Sequence, residues 1–201
     1  MSRPRSRISS CVLLTWIPSR ALGGQIIAKN GSHIDLSNDT FLGGTLQAEG
    51  SGAWVLGDSS TVLDGSTDSG AVTIVAPLEL AGGLSLTLKG TIHNEKGIDL
   101  NGQPALEIDP AKGGVTLDSG GAATPAKVVL DDSANAIRSL GAQANFTNVD
   151  NVISGAGTFS NLIYWEIPRL CRGGSRSLTF PAVCAPQLAV IEKADAWRRA
   201  Y

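Results

Sequence analysis

A chain of 201 residues can bury one sizeable core, and its length favours one domain or at most two. Twenty-four glycines with only 5% aromatic residues fit stacked thin layers better than a globule packed around aromatic anchors. The formal charge of −2 is unevenly spread: residues 21–161 carry 15 acidic and six basic side chains, whereas the two ends are net basic. An acidic body without a basic stripe argues against nucleic acid as a partner.

Residues 1–21 form a leader. Arg3, Arg5 and Arg7 precede the apolar run Ile8-Ser-Ser-Cys-Val-Leu-Leu-Thr-Trp-Ile17, and Ser19-Arg-Ala21 has the small-x-small outline of a cleavage site. That order is the outline of an export signal, shortened and interrupted by Ser9, Ser10 and Thr15. The alternative is a leader unrelated to the body. Ile8-Ser-Ser-Cys11 is not a lipoprotein box, because its apolar run follows the cysteine. No stretch approaches the roughly 18 apolar residues of a membrane-spanning helix, so no integral span is expected.

From Gln25 the chain repeats one device, a short β-type run closed by Gly, Asn, Asp or Ser. Strands are predicted at 25–28, 33–36, 44–48, 53–56, 61–63, 71–75, 84–88 and 97–100. Others are predicted at 105–108, 115–117, 127–130, 145–149 and 151–153. Turns such as Asn30-Gly31, Asn101-Gly102 and Gly113-Gly114 tolerate positive φ. Hairpins would give a similar pattern, so spacing decides between the two. Central triplets beginning at Thr45, Val62, Leu84, Ile98, Val115 and Val128 recur at uneven but similar intervals, near the length of one solenoid coil. This loose repeat predicts an all-β fold, a parallel β-helix (solenoid) whose coils stack about 4.8 Å apart. Its expected extent is residues 22–160, with an irregular leader and tail, and the coil count stays open.

Phe146-Thr-Asn-Val-Asp-Asn-Val-Ile-Ser-Gly-Ala-Gly-Thr-Phe159 contains a phrase, residues 148–158, that closely resembles repeats in bacterial autotransporter and haemagglutinin-like adhesins. Leu86-Thr-Leu-Lys-Gly-Thr-Ile-His-Asn-Glu-Lys-Gly-Ile-Asp-Leu-Asn-Gly102 is similar to the preceding rungs of that family. The resemblance covers about residues 30–160. It implies a right-handed parallel β-helix (solenoid) as passenger or stalk, secreted or displayed on the bacterial cell surface (outer membrane), and a fragment or truncated relative of a larger adhesin. Its implied partner is a host surface or an extracellular glycan, and the oligomeric state stays open.

Residues 161–201 form the tail, in which the strand-and-turn rhythm is lost after Ser160. Leu188–Arg199 has the period of a short amphipathic helix, either a cap on the coil stack or part of an unrelated or disordered tail. Cys11, Cys171 and Cys184 all lie outside the repeat. An odd count without a CxxC pair is neither a disulfide framework nor a zinc site. A Cys171–Cys184 bridge is open to an exported chain.

The search for chemistry leaves catalytic, cofactor-binding and metal residues unassigned, and no cofactor is expected. His33 and His93 are read as exposed rung residues, since no nucleophile elbow accompanies them. Asp131 with Asp132, Asp64 with Asp68, and Asp35 with Asp39 are the carboxylate clusters, read first as turn residues bonding their own backbone. Asn30, Asn38 and Asn145 begin N-x-S/T triplets, which arise readily by chance in such a chain. The expected function is a structural and adhesive segment rather than an enzyme. The rival is a β-helix polysaccharide lyase or glycoside hydrolase acting on acidic or neutral glycans, which would need two carboxyl groups about 5–9 Å apart on one face.

Overall fold

A computed structural model describes residues 21–50, 53–56, 61–165 and 178–179. The leader 1–20, the three cysteines and the segment 188–199 lie outside the described residues.

The described chain is all-β with parallel ladders. Its strands are β1 (Ala21–Leu22), β2 (Gln25–Ala28), β3 (His33–Leu36), β4 (Thr40–Leu42), β5 (Gly44–Ala48), β6 (Ala53–Leu56) and β7 (Thr61–Gly65). Then come β8 (Val72–Val75), β9 (Leu78–Ala81), the long β10 (Ser85–Asn94), β11 (Ile98–Asn101), β12 (Ala105–Ile108), β13 (Val115–Asp118) and β14 (Lys127–Leu130). The last are β15 (Ala136–Ser139), β16 (Ala144–Asn148), β17 (Val152–Gly155), β18 (Gly157–Ser160), β19 (Leu162–Trp165) and β20 (Leu178–Thr179). One 3-10 turn, Ala111–Gly113, interrupts them.

The strands sort into three ladders. The first runs β1-β4-β7-β10-β12-β15-β18-β20, the second β2-β5-β8-β10-β13-β16-β19, and the third β3-β6-β9-β11-β14-β17. The long β10 belongs to the first two and joins them into one 14-stranded sheet, while the third is a separate six-stranded sheet. It turns from one ladder to the other at Gly90, whose φ of +65° a side-chain-bearing residue rarely adopts. A parallel pair needs a crossover of a dozen or more residues. Here the other two ladders supply it, so no helix is required.

The register gives the step. Gln25 pairs with Thr45, His33 with Ala53, Val72 with Ile92, Leu78 with Ile98 and Ser85 with Ala105. The increment is the same in all five pairs, about 20 residues, at the short end of the periods that stacked repeats use. Insertions lengthen other passes: Ile98 pairs with Val128 and Ala105 with Ala136. Four of the five uneven intervals between triplets counted along the sequence therefore join positions on different ladders. The pairing also continues past Ser160, since β19 extends β16 and β20 extends β18.

Side chains alternate inward and outward, as the pleat dictates. Leu78, Leu80, Ile98, Leu100, Val128 and Leu130 are buried, and so are Leu86, Leu106, Ile137 and Phe159 on the first ladder. In-register neighbours thus stack like on like into one continuous core. Each fully buried Leu contributes about 2 kcal/mol by area alone.

Candidate functional site

The third ladder presents a short outward row. With Leu78 and Leu80 buried, Glu79 must face out, and the same alternation turns out Asp99 on β11 and Val129 on β14. The register sets Glu79 beside Asp99 and Asp99 beside Val129. Two carboxylates on neighbouring parallel strands sit with Cβ atoms about 5 Å apart.

An insertion makes a groove at the Asp99 and Val129 end of this row. Ser119–Ala126 lies between β13 and β14, where the preceding pass needs only Glu95-Lys96-Gly97 to turn from β10 to β11. The extra loop stands as a wall beside that tight turn. Together they bound a groove of about 340 Å³, lined by Pro77, Lys96, Asp99, Thr124, Pro125 and Lys127 among others. Buried Ser119 anchors the wall: its N–H donates to Asp150 Oδ1 (2.7 Å) and its Oγ accepts from the Ala126 N–H (3.3 Å). The Gly120 N–H donates to Asp118 Oδ1 at 2.8 Å. Gly120 packs so closely that a Cβ there would come within 2.9 Å of Glu95 Oε1.

Beneath the groove, buried asparagines fix three successive passes of the chain. Asn94 Oδ1 accepts from the Gly97 N–H (2.9 Å), and Asn94 Nδ2 donates to Asn151 Oδ1 (2.8 Å) and to the Lys127 carbonyl (3.3 Å). Asn148 Nδ2 donates to the Asn151 carbonyl, and its Oδ1 accepts from the Asn151 N–H. Buried amides that satisfy backbone groups in this way hold turns rigidly, because losing one partner strands the other.

Burial raises the Asp99 pKa above the ordinary carboxylate value; the charges of Glu79 and Asp131 add to the rise, and Lys127 opposes it. Glu79 Oε1 accepts from Asn101 Nδ2 at 3.1 Å. On the first ladder Asp109 behaves in the opposite way. Burial works against its ionisation, but hydrogen bonds from the Ala111 N–H and Lys89, together with the Lys89 charge 3.0 Å away, lower its pKa.

The carboxylate clusters found in the sequence are not brought into one groove. Asp131 Oδ1 accepts from the Gly102 N–H (3.0 Å) and Asn135 Nδ2 (3.1 Å), tying one pass to the next. Asp132 Oδ1 accepts from the Ala134 N–H and Asp64 Oδ1 from the Ser66 N–H, which are local turn bonds. Asp39 Oδ2 accepts from the Ser37 N–H, and Asp35 lies 3.7 Å from His33. His33 is an exposed rung residue, but His93 is not: it is partly buried, with Nδ1 2.5 Å from Asp118 Oδ1 on the neighbouring strand. The in-register pairing of His93 with Asp118 explains the difference.

Glu79, Asp99 and Lys127 escaped sequence reasoning. Their signal is the recurrence of one outward position from Glu79 to Asp99 and on to Val129, and the longer second step is visible only once the insertion is recognised. Among the described residues no three His, Cys, Asp or Glu side chains converge as metal ligands. No helix among them is long and apolar enough to cross a membrane. Compared with protein-family models, curated proteins and solved structures, the chain matches none.

Proposed function

We propose that the chain is a right-handed parallel β-helix serving as a structural and adhesive segment of a secreted or surface-displayed bacterial protein, akin to the autotransporter and haemagglutinin-like adhesins. The observation that carries this reading is the register. Three parallel ladders are visited in fixed order with one basic step, and their apolar side chains stack continuously inside. The resemblance of residues 86–102 and 148–158 to adhesin repeats supplies the biological class. A rigid, hydrophilic lateral surface of this kind suits contact with a host surface or an extracellular glycan.

A second reading, a polysaccharide lyase or glycoside hydrolase on the same fold, is favoured by one observation. Glu79 and Asp99 are outward neighbours, and the raised pKa of Asp99 would suit proton donation. The test incubates the purified full chain with immobilised glycans and cultured host cells, scoring retained protein and new chain ends. Retention without turnover supports the adhesive reading. Turnover abolished by Asp99→Asn would establish the enzymatic one, and neither retention nor turnover would remove both.

A further inference from the structure

Most carboxylates on the described surface are committed to the fold. Asp39, Asp64, Asp131, Asp132 and Asp150 accept backbone N–H groups, while Glu107 and Asp109 hold Arg138 and Lys89. The charged groups around the groove differ. The side chains of Glu95, Lys96, Asp99 and Lys127 form no ion pair or hydrogen bond with another described residue, and Lys127 reaches Asp99 only through space. The four line one concavity whose walls are fixed by the Ser119 and Asn94 bonds, so the fold fixes the backbone beneath them without using their side chains.

Their chemistry selects a ligand class. Two ammonium groups and two carboxylates line the groove in equal number, so no ligand carrying a single sign of charge is matched by all four. A hydroxyl group both donates to carboxylates and accepts from ammonium groups, and a polyol can use all four. Pro77, Pro125 and Val129 add apolar surface on which the C–H face of a sugar ring can rest. A volume of about 340 Å³ lies at the small end of ligand sites and suits a short saccharide.

We propose that the groove between the Glu95–Gly97 turn and the Ser119–Ala126 loop binds neutral hexose or N-acetylhexosamine units of a glycan. The proposal rests on the adhesive reading and gives it a place on the surface.

The test titrates the ¹⁵N-labelled full chain with maltose, lactose, cellobiose and N,N′-diacetylchitobiose, and in parallel with digalacturonate and a glucosamine dimer. The same preparation is assayed for retention on glycan surfaces and cells. Amide shifts from at least one neutral disaccharide, confined to residues 95–99 and 124–129, are expected. Asp99→Asn and Lys127→Ala should each weaken that binding roughly tenfold or more. Thr124→Trp, which fills the groove without removing a charge, should abolish it. All three positions are exposed, so unfolding midpoints no lower than wild type will certify the fold. Shifts from the charged disaccharides alone, or neutral binding that survives all three variants, would overturn the groove site. If retention on surfaces persists in the three variants and no neutral disaccharide shifts the groove amides, the groove is wrong and the adhesive reading stands. If disaccharides bind the groove but no surface retains the chain, the groove stands and the adhesive reading falls.

Discussion

Replacing Leu100 by Ala while leaving its neighbour Asp99 to a separate variant tests the inward–outward alternation at a single pair of residues. Leu100 is 1% exposed and sits in register between Leu80 and Leu130, both fully buried. Removing three methyl or methylene equivalents forfeits about 2.4 kcal/mol of transfer free energy at about 0.8 kcal/mol each. The neighbouring strands are held by ladder hydrogen bonds and cannot close the gap, so a cavity term brings the loss to about 3–5 kcal/mol. For a chain of this size that is a fall of roughly 6–20 °C in Tm, at about 2–4 °C per kcal/mol. Asp99→Ala, one residue away and facing out, should change stability by less than about 0.5 kcal/mol. Urea unfolding followed by circular dichroism and by Trp fluorescence gives both values, and coincident transitions will license a two-state treatment. Equal costs at the two positions, or a larger cost at Asp99, would refute the register, because a slip of one residue exchanges their faces.

Gly65→Ala would drive a Cβ into the Thr91 carbonyl oxygen and should cost about 3 kcal/mol or more, whereas Gly31→Ala meets nothing within 4 Å and pays only for its φ of +72°, about 1 kcal/mol. Thermal unfolding of the two variants side by side checks the contrast. Asn94→Ala strands the Gly97 N–H and Asn151 Oδ1, and should lower stability by about 2–5 kcal/mol with loss of amide exchange protection at Gly97. Two carboxylates should respond to pH in opposite senses. The lowered pKa of Asp109 contributes stability that is present above the ordinary carboxylate value and lost as pH falls through the folded value, so wild type and Lys89→Met should differ at pH 7 and converge in acid. The raised pKa of Asp99 costs stability as pH rises through the carboxylate range, so Asp99→Asn should gain at pH 7 and gain nothing near pH 3. Unfolding midpoints between pH 2.5 and 7 decide both.

Much of the fold was legible where a run alternates cleanly and ends in a turn residue. The bounds of β2, β3, β5, β6, β12 and β14 agree with the sequence-based strands to the residue. The strands left unrecognised are short or lie against a turn: Ala21–Leu22, Thr40–Leu42, Leu78–Ala81, Ala136–Ser139, Gly157–Ser160, Leu162–Trp165 and Leu178–Thr179. None is longer than four residues, so alternation within it is a weak signal. Pairing across the ladders completes them. The repeat length was obscured for a related reason. Triplets from three ladders share one composition, and the insertions before β13, β14 and β15 shift the later ladders out of phase. The groove was illegible because its turn and its wall lie on successive passes of the chain, and only the insertion at 119–126 makes them neighbours. The turn role of some aspartates, by contrast, follows from each residue and the one or two after it: Asp64, Asp109 and Asp132 make such bonds, whereas Asp131 reaches Gly102 on the preceding pass.

Cysteine cross-linking tests the stacked register most directly, carried out in a full chain with Cys11, Cys171 and Cys184 changed to Ser. Thr91 pairs with Thr116, and Thr116 with Thr147, on adjacent parallel strands. Neighbouring strands lie about 4.8 Å apart, within the Cα separation of about 4.4–6.8 Å that a disulfide spans, whereas Thr91 and Thr147 are two strands apart at about 9.6 Å. Under mild oxidation the account predicts rapid closure of the intramolecular bridge for Thr91→Cys with Thr116→Cys, and none for Thr91→Cys with Thr147→Cys. Closure of the second pair as readily as the first, or of neither, would contradict the parallel stack on which every other inference stands.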